Sequence, residues 1–434
     1  MFRAGVAAAE PGECVRRALE MEGPDCMRAC GQSFFLPDFD RVLLVAAGKA
    51  ACPMAEAALS LLGGRVSGGI AVTKYGHAAG WRRLPVREAG HPLPDEAGLA
   101  AAREVLSVVS SAGPRDLVLF LFSGGASALL SLPAPGISLK DKIQTTSALL
   151  ASGAPIAAMN AVRKHLSAIK GGRLAQACPE SDQITLALSD VIGDDLSVIA
   201  SGPTFPDSST FSECLGIVDG YGLSSALPAQ VLDRLRAGAR GELPETPKPG
   251  DPAFSRSCFR VAGSLAQSLE AVMQKARSLG FHPFLLSPEV SGEAREAARS
   301  LCGLARQAQA GEGLVPLPAV IVAGGETTVT LRGKGLGGRN QEMALAAALE
   351  LDGLPGLGLL ACGTDGTDGP TDAAGAWSDG TTAPRARFRG LDPATFLGNN
   401  DSHSFFRQAG GLVHTGPTGT NVMDIYLALA GGRE

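Results

Sequence analysis

The stretch DLVLFLFSGGASALL, residues 116–130, decides the fold class. From Leu117 to Phe122 every residue is apolar, without alternation and with too few residues for a helix. That is how a strand covered on both faces reads. Ser123, Gly124 and Gly125 interrupt the run, and residues 126–130 resume with helix-forming types. Strand, glycine turn and helix together make the repeating unit of an α/β protein. The same order recurs upstream, where RVLLVAAGKAA (41–51) runs as a buried strand into a glycine turn and CPMAEAALSLL (52–62) continues as a helix.

Further out the alternation persists. GGIAVTKYG (68–76) reads as a short strand, DEAGLAAAREVLSVVSSA (95–112) as an amphipathic helix, and DQITLALSDVIGDD (182–195) as a strand ending in acids. Residues 4–30 read as helical from the recurrence of Ala, Val, Leu and Met. AGARGELPETPKPGDPAFS (237–255) lacks periodicity and is expected to be a domain linker or a long surface loop. A second α/β unit follows with CFRVAGS (258–264), HPFLLS (282–287), AVIVAGGETTVTL (319–331) and GLGLLACGTDGTDGPTDAAGA (356–376). The expectation is a mostly parallel, doubly wound sheet, in two domains spanning 1–245 and 256–434.

Composition supports that reading and removes several functions. A chain of 434 residues is too long for one core, and its 45% apolar content suffices for two. Net charge is −5 with no long basic block, which argues against a nucleic-acid partner. No apolar run reaches the length of a membrane span, and Glu10 and Glu13 stand where a signal-peptide core would be, so a cytoplasmic protein is expected. The nine Cys form no CxxC pair and are expected to be reduced thiols. Whether the chain forms a homo-oligomer is left open.

Ligands of parallel sheets bind where strands end at their carboxyl side, and four polar loops follow strands here. In AAGKA (46–50) Lys49 sits at a strand-to-helix turn, although Leu43 and Ala50 depart from the phosphate-loop pattern. Ser123, Gly124 and Gly125 expose backbone N–H groups able to cradle a phosphate. In LSDVIGDDLSVIASGPT (188–204) Asp190, Asp194 and Asp195 cluster, which calls for a cation or a proton-abstracting role. Arg163, Lys164, Lys170 and Arg173 in NAVRKHLSAIKGGRLA (160–175) form either a solvated face or a phosphate-neutralising one. In GGETTVTLRGKGLGGRNQEMALAAALEL (324–351) Gly333, Gly335 and Gly338 satisfy G-x-G-x-x-G, a weak dinucleotide signal. Arg339 opens the following helix, where a cation opposes the dipole unless it meets an anion.

Nine motifs in register carry a resemblance. AAGKAA, AGHPLPDEAG, FSGGASALL, NAVRKHLSAIKGGRLA, LSDVIGDDLSVIASGPT, GGETTVTLRGKGLGGRNQE, GTDGTDGPTDAAGA, NNDSHSFF and GPTGTNVMD lie in order from about residue 40 to 427. Together they resemble the class II, MOFRL-type glycerate kinase family, whose members have often been labelled hydroxypyruvate reductases. The resemblance implies a Rossmann-like N-terminal domain, a second α/β C-terminal domain of its own type, and an active site in the cleft between them. It implies ATP- and Mg2+-dependent phosphorylation of D-glycerate to 2-phosphoglycerate, with Lys49 and Arg339 catalytic. Ser123, Gly124, Gly125, Ser127, Asn160, Glu326, Gly335, Gly338, Asp365 and Asn400 are expected to bind substrate or nucleotide. Asp190 and Asp195 are expected to hold Mg2+ or to accept the hydroxyl proton. The competing expectation is an NAD(P)H-dependent hydroxypyruvate reductase built on the 333–338 glycines, with His403 or His414 as its histidine.

Overall fold

The computed structural model describes residues 1–78, 80–313 and 315–432, which form two compact units. One unit comprises Pro11–Ser189 and Asp194–Ala262, the other Met1–Glu10, Asp190–Gly193 and Gly263–Glu434.

The N-terminal region departs from the all-helical expectation. Helices Phe2–Ala8 and Pro11–Ala18 are followed by three antiparallel strands, β1 (Leu19–Met21), β2 (Cys26–Ala29) and β3 (Gln32–Phe35). Gly23 at φ 89° and Gly31 at φ 79° take the turns that a helix would forbid. Beyond residue 18 the apolar residues satisfy alternation instead, with Met27 and Ala29 buried and Arg28 between them exposed.

The main sheet of this unit contains β4 (Arg41–Ala47), β5 (Val66–Lys74), β6 (Val86–Ala89), β7 (Asp116–Phe122), β8 (Asp182–Leu188) and β9 (Ser257–Gly263), in the order β6-β5-β4-β7-β8-β9. Strands β4 to β8 all run parallel. The chain builds outward from β4 to β6 and then returns to add β7 on the other side. This makes the β4/β7 boundary the topological switch point, the usual ligand crevice of such sheets. Every residue of β7 is buried, and its Phe120 and Phe122 pack with Val45, Ile70 and Val105 in an otherwise Ala- and Leu-rich core.

Of the 237–255 stretch, residues 237–239 close helix Ala229–Ala239, Pro252–Phe254 form a 3-10 turn, and the rest is a loop of this unit. Buried Thr246 donates to Asp207 at 2.9 Å, and Glu245 accepts from Phe211 N at 2.9 Å. The compact units divide at 262/263 because β9 joins the edge of the first sheet.

The other unit is a mixed sheet of β10 (His282–Val290), β11 (Ala319–Gly325), β12 (Leu357–Gly363), β13 (Gly375–Asp379), β14 (Leu412–Val413) and β15 (Asp424–Ala430). Its order is β10-β11-β15-β12-β13-β14. Only β10 and β11 pair in parallel; β15 lies antiparallel between β11 and β12. Helix Phe2–Ala8 packs on helix Leu265–Ser278 of this unit. A side chain at Gly5 would run into Ile425 and Val272. No helix among the described residues is long and apolar enough to cross a membrane.

Candidate active site

At the switch point of the first unit, the turns after β4 and β7 are tied to each other. Lys49 N–H donates to Gly124 O at 2.9 Å and Ser123 N–H to Ala47 O at 3.0 Å. Gly48, at φ 130°, leaves room for the Ser123 side chain that any Cβ would strike. Ser123 is 1% exposed, and its hydroxyl accepts from Ala50 N at 3.0 Å. It thereby caps helix Ala51–Leu62, whose own N-cap, Ala50, has no side chain to do so. The Ser123 side chain therefore builds the turn. Gly124 and Gly125 N–H groups meet no acceptor among the described residues, which suits an anion.

His91 crowds this turn; a Cβ on Gly125 would lie 3.0 Å from its ring and 3.3 Å from the Lys49 stem. Burial, reinforced by the charges of Lys49, Lys74 and His77, pushes the His91 pKa down to about 4. The ring is uncharged at neutral pH, in a neighbourhood that is otherwise cationic.

Ser127 and Asn160 are brought together with residues that the sequence reading left undecided. Ser127 Oγ accepts from Arg163 Nη2 at 2.6 Å and from Lys170 Nζ at 2.8 Å, and it lies 2.9 Å from Ser201 Oγ. Asn160 Oδ1 accepts from Arg163 Nη1 at 3.1 Å. Arg163 and Lys170 thus reach inward.

In the second unit, helix Arg339–Glu350 starts at Gly338 without a side-chain cap of its own. Asp368, from the loop after β12, supplies one: its carboxylate accepts from Asn340 N at 3.0 Å, Gln341 N at 2.8 Å and Gln341 Nε2 at 3.0 Å. Burial raises the Asp368 pKa against those bonds. Arg339 is answered by two carboxylates. Asp424 accepts from Nε at 2.6 Å and Nη2 at 3.1 Å, and Glu326 accepts from Nη1. Asp424 opens β15, opposite Gly325 of β11 and Gly363 of β12, so the antiparallel strand delivers it to the carboxyl ends of its neighbours. It is 1% exposed, and burial raises its pKa to about 6 while Arg339 pulls it down. Burial would lower the Arg339 pKa, but its bonds to Asp424 and the charge of Glu326 raise it well above the usual value. At pH 7 the pair is ionised.

The remaining expected site residues are engaged locally. Asp365 Oδ1 accepts from Thr367 N at 2.9 Å. Asn400 Oδ1 accepts from Arg332 N at 2.7 Å and Gly333 N at 3.0 Å, and its Nδ2 donates to Glu342 at 3.0 Å. Asp195 is exposed, and its Oδ1 accepts from Ser197 N at 2.8 Å. Asp190 is half-buried at the end of β8, in the Asp190–Gly193 segment. Among the described residues no three His, Cys, Asp or Glu side chains group as a metal site.

Comparison with known proteins decides the kinship. Residues 1–236 match a domain of unknown function (DUF4147), and residues 319–424 match the MOFRL family. A D-glycerate 2-kinase of Thermotoga maritima is 43% identical over 96% of this chain and 97% of its own length. This chain belongs to the same DUF4147–MOFRL glycerate kinase family. A glycerate 2-kinase of Pyrococcus horikoshii is 42% identical over 98% of this chain and 94% of its own length. A crystal structure of glycerate kinase from Thermotoga maritima superposes with a TM-score of 0.88 at 41% identity, covering 99% of this chain and 97% of that one.

Within this family the glycine loop has a different explanation from dinucleotide binding. The fingerprint requires its glycines directly after a strand, yet β11 ends at Gly325 and the helix begins only at Arg339. A Cβ at Gly333 would strike Asn399, one at Gly335 would strike Asp401, and one at Gly338 would strike Asp368. Gly335 N–H is taken by Asn399 O at 2.9 Å. The loop is glycine-rich because protein packs against it. Of the two histidines weighed for a reductase, His403 is buried with Nδ1 3.0 Å from Gln341 Oε1, and His414 is exposed.

Asp424, Lys142 and His91 were not singled out from sequence as site residues. The available signal for Asp424 was an acid placed directly before the apolar run IYLALA.

Proposed function

We propose that this protein transfers the γ-phosphoryl group of ATP to the 2-hydroxyl of D-glycerate, releasing ADP and 2-phosphoglycerate. The observation that carries this reading is end-to-end likeness to glycerate 2-kinases, with Lys49 on the turn after β4 and Arg339 at the start of helix Arg339–Glu350. Phosphoryl transfer asks for positioning and charge neutralisation more than for covalent help.

Lys49 supplies a point charge beside the free N–H groups of Gly124 and Gly125, where oxygens of a phosphoryl group gain both. Asp424 pairs with the Nε and Nη2 N–H groups along one edge of the Arg339 guanidinium, which fixes its plane. Among the described residues Nη1 is held only by Glu326, whose side chain is 49% exposed. That nitrogen is the one a carboxylate or phosphoryl oxygen of the substrate takes, with Glu326 moving into solvent. Asp190 and Asp195 would hold a magnesium ion, which neutralises donor phosphates when bound. We place the enzyme in the cytoplasm, consistent with nine free cysteines.

The test follows ADP release from purified protein with D-glycerate, ATP and magnesium, and resolves 2- from 3-phosphoglycerate by NMR. Glycerate-dependent ADP with the 2-phospho product is expected. Oxidation of NADH or NADPH by hydroxypyruvate, without glycerate-dependent ADP, would overturn the proposal.

A further inference from the structure

Three consecutive basic residues close helix Ile156–His165, and the chain treats them differently. Lys164 is buried against Asp207 at 3.2 Å. His165 Nε2 lies 2.9 Å from Glu245. Among the described residues Arg163, between this helix and the Ser127 turn, hydrogen-bonds only to the neutral oxygens of Ser127 and Asn160. Lys170 likewise meets only Ser127 O and Oγ and Ala200 O, at 2.8 to 3.1 Å. Lys142, reaching in from helix Leu139–Ala151, is 4% exposed and its ammonium has no hydrogen-bond partner among the described residues.

These three cations bear on one another. Burial first and the Arg163 charge second bring the Lys142 pKa down to about 7. Burial, then Arg163 and Lys142, hold the Lys170 pKa well below its usual value. No carboxylate contributes to either. Buried charge without counter-charge is costly, and elsewhere in the same helix the protein supplies acids where cations need them. Donors also exceed acceptors. Ser127 Oγ accepts twice and has its own hydrogen left for Ser201, while all three Lys142 N–H groups go unused.

We propose that Lys142, Arg163 and Lys170, with Ser127 and Asn160, form a binding site for a compact oxyanion adjoining the Ser123–Gly125 turn. The oxyanion is a carboxylate of the acceptor acid or an oxygen of free phosphate. That the acceptor supplies it rests on the glycerate kinase reading; the site itself does not. Ser127 and Arg163 are partly exposed and Lys142 is buried, so the anion would enter past the first two.

The experiment measures thermal unfolding of the full chain against added inorganic phosphate and, separately, D-glycerate at constant ionic strength. Wild type is compared with Lys142→Met, Arg163→Gln and Lys49→Met. Wild type is expected to gain stability saturably with at least one anion. Lys142→Met should melt above wild type without anion, because an unpaired buried ammonium is gone. Its apparent Kd for the anion should be weakened about tenfold or more, and Arg163→Gln, at a partly exposed position, should weaken it similarly even if Lys142→Met fails to fold. Lys49→Met should keep the response. Protection by glycerate alone assigns a carboxylate, and protection by phosphate alone assigns a phosphate oxygen. A wild-type anion response in Lys142→Met and Arg163→Gln, or one lost only in Lys49→Met, overturns the site. Glycerate-dependent ADP release by wild type, run alongside, separates the two readings. With activity present and the anion response unchanged in the variants, the kinase stands and the anion site falls; with the response lost in the variants and no activity, the reverse holds.

Discussion

Replacing Asp424 by Asn keeps the shape of the side chain under Arg339 and removes its charge. The carboxyl group titrates at about 6 in the folded protein against an ordinary 3.8, because burial outweighs the pull of Arg339. A carboxyl whose pKa is higher folded than unfolded stabilises the fold below its unfolded value. That contribution is lost as pH rises through the folded value. A shift of about two units at 1.36 kcal/mol each amounts to about 3 kcal/mol. Wild type should therefore lose about 3 kcal/mol relative to Asp424→Asn between roughly pH 4 and pH 7. Urea unfolding of both proteins in steps across that range reads the gap directly, since the remaining titrations are shared and cancel. A gap that moves the other way, with wild type gaining on the variant as pH rises, would refute the reasoning. It would mean that Arg339 lowers the carboxyl pKa by more than burial raises it. Activity supplies the second arm. Asn accepts from only one of the Nε and Nη2 N–H groups, so Arg339 turns toward Glu326 and kcat should fall roughly 100-fold, as for a misplaced catalytic group.

Other changes separate the roles of neighbouring residues. Lys49→Met should lower kcat about 100-fold or more while leaving the melting temperature nearly unchanged, measured by ADP release and calorimetry. Arg339→Ala should lose both activity and stability, because it strands Asp424 at 1% exposure without its partner; Arg339→Lys, which keeps a cation there, should recover stability but not turnover. Asn400→Ala strips the Arg332 and Gly333 N–H groups of their acceptor, and chemical denaturation should show a loss of about 2 kcal/mol. His91→Gln should flatten the stability profile on its acid side. A histidine with a depressed pKa costs nothing above its ordinary 6.5, and its contribution is lost as pH falls toward about 4.

Much of the architecture was legible because α/β signals are local. The run Leu117–Phe122, the turn at Ser123–Gly125 and the helix after it are neighbours in sequence, and the same holds for Arg41–Leu62. Turns that follow strands could therefore be placed, and with them Lys49 and the Ser123–Gly125 loop. The second sheet was less legible. Nothing in DIYLALA (424–430) says that it will insert antiparallel between β11 and β12, because a strand's direction depends on partners far away in the chain. Asp424 is hidden in the sequence for that reason: ligand loops of parallel sheets follow the carboxyl ends of strands, whereas it lies at the amino end of a strand running the other way.

The buried cations show the same limit in electrostatic form. Lys142 stands in SLKDKIQTT (138–146), whose Lys, Asp and Gln read as a solvated helix face. Arg163, Lys164 and His165 are equivalent in sequence, yet Asp207 and Glu245 reach two of them from 43 and 80 positions along the chain and leave the third to neutral oxygens. The spacing gives no sign of which cation will be answered by protein and which is left for a ligand. What distinguishes them is the missing acid in the packed shell, a property of tertiary structure alone. That is why residue spacing located the loops of the candidate site, while the groups that set its charge emerged only once the chain was folded.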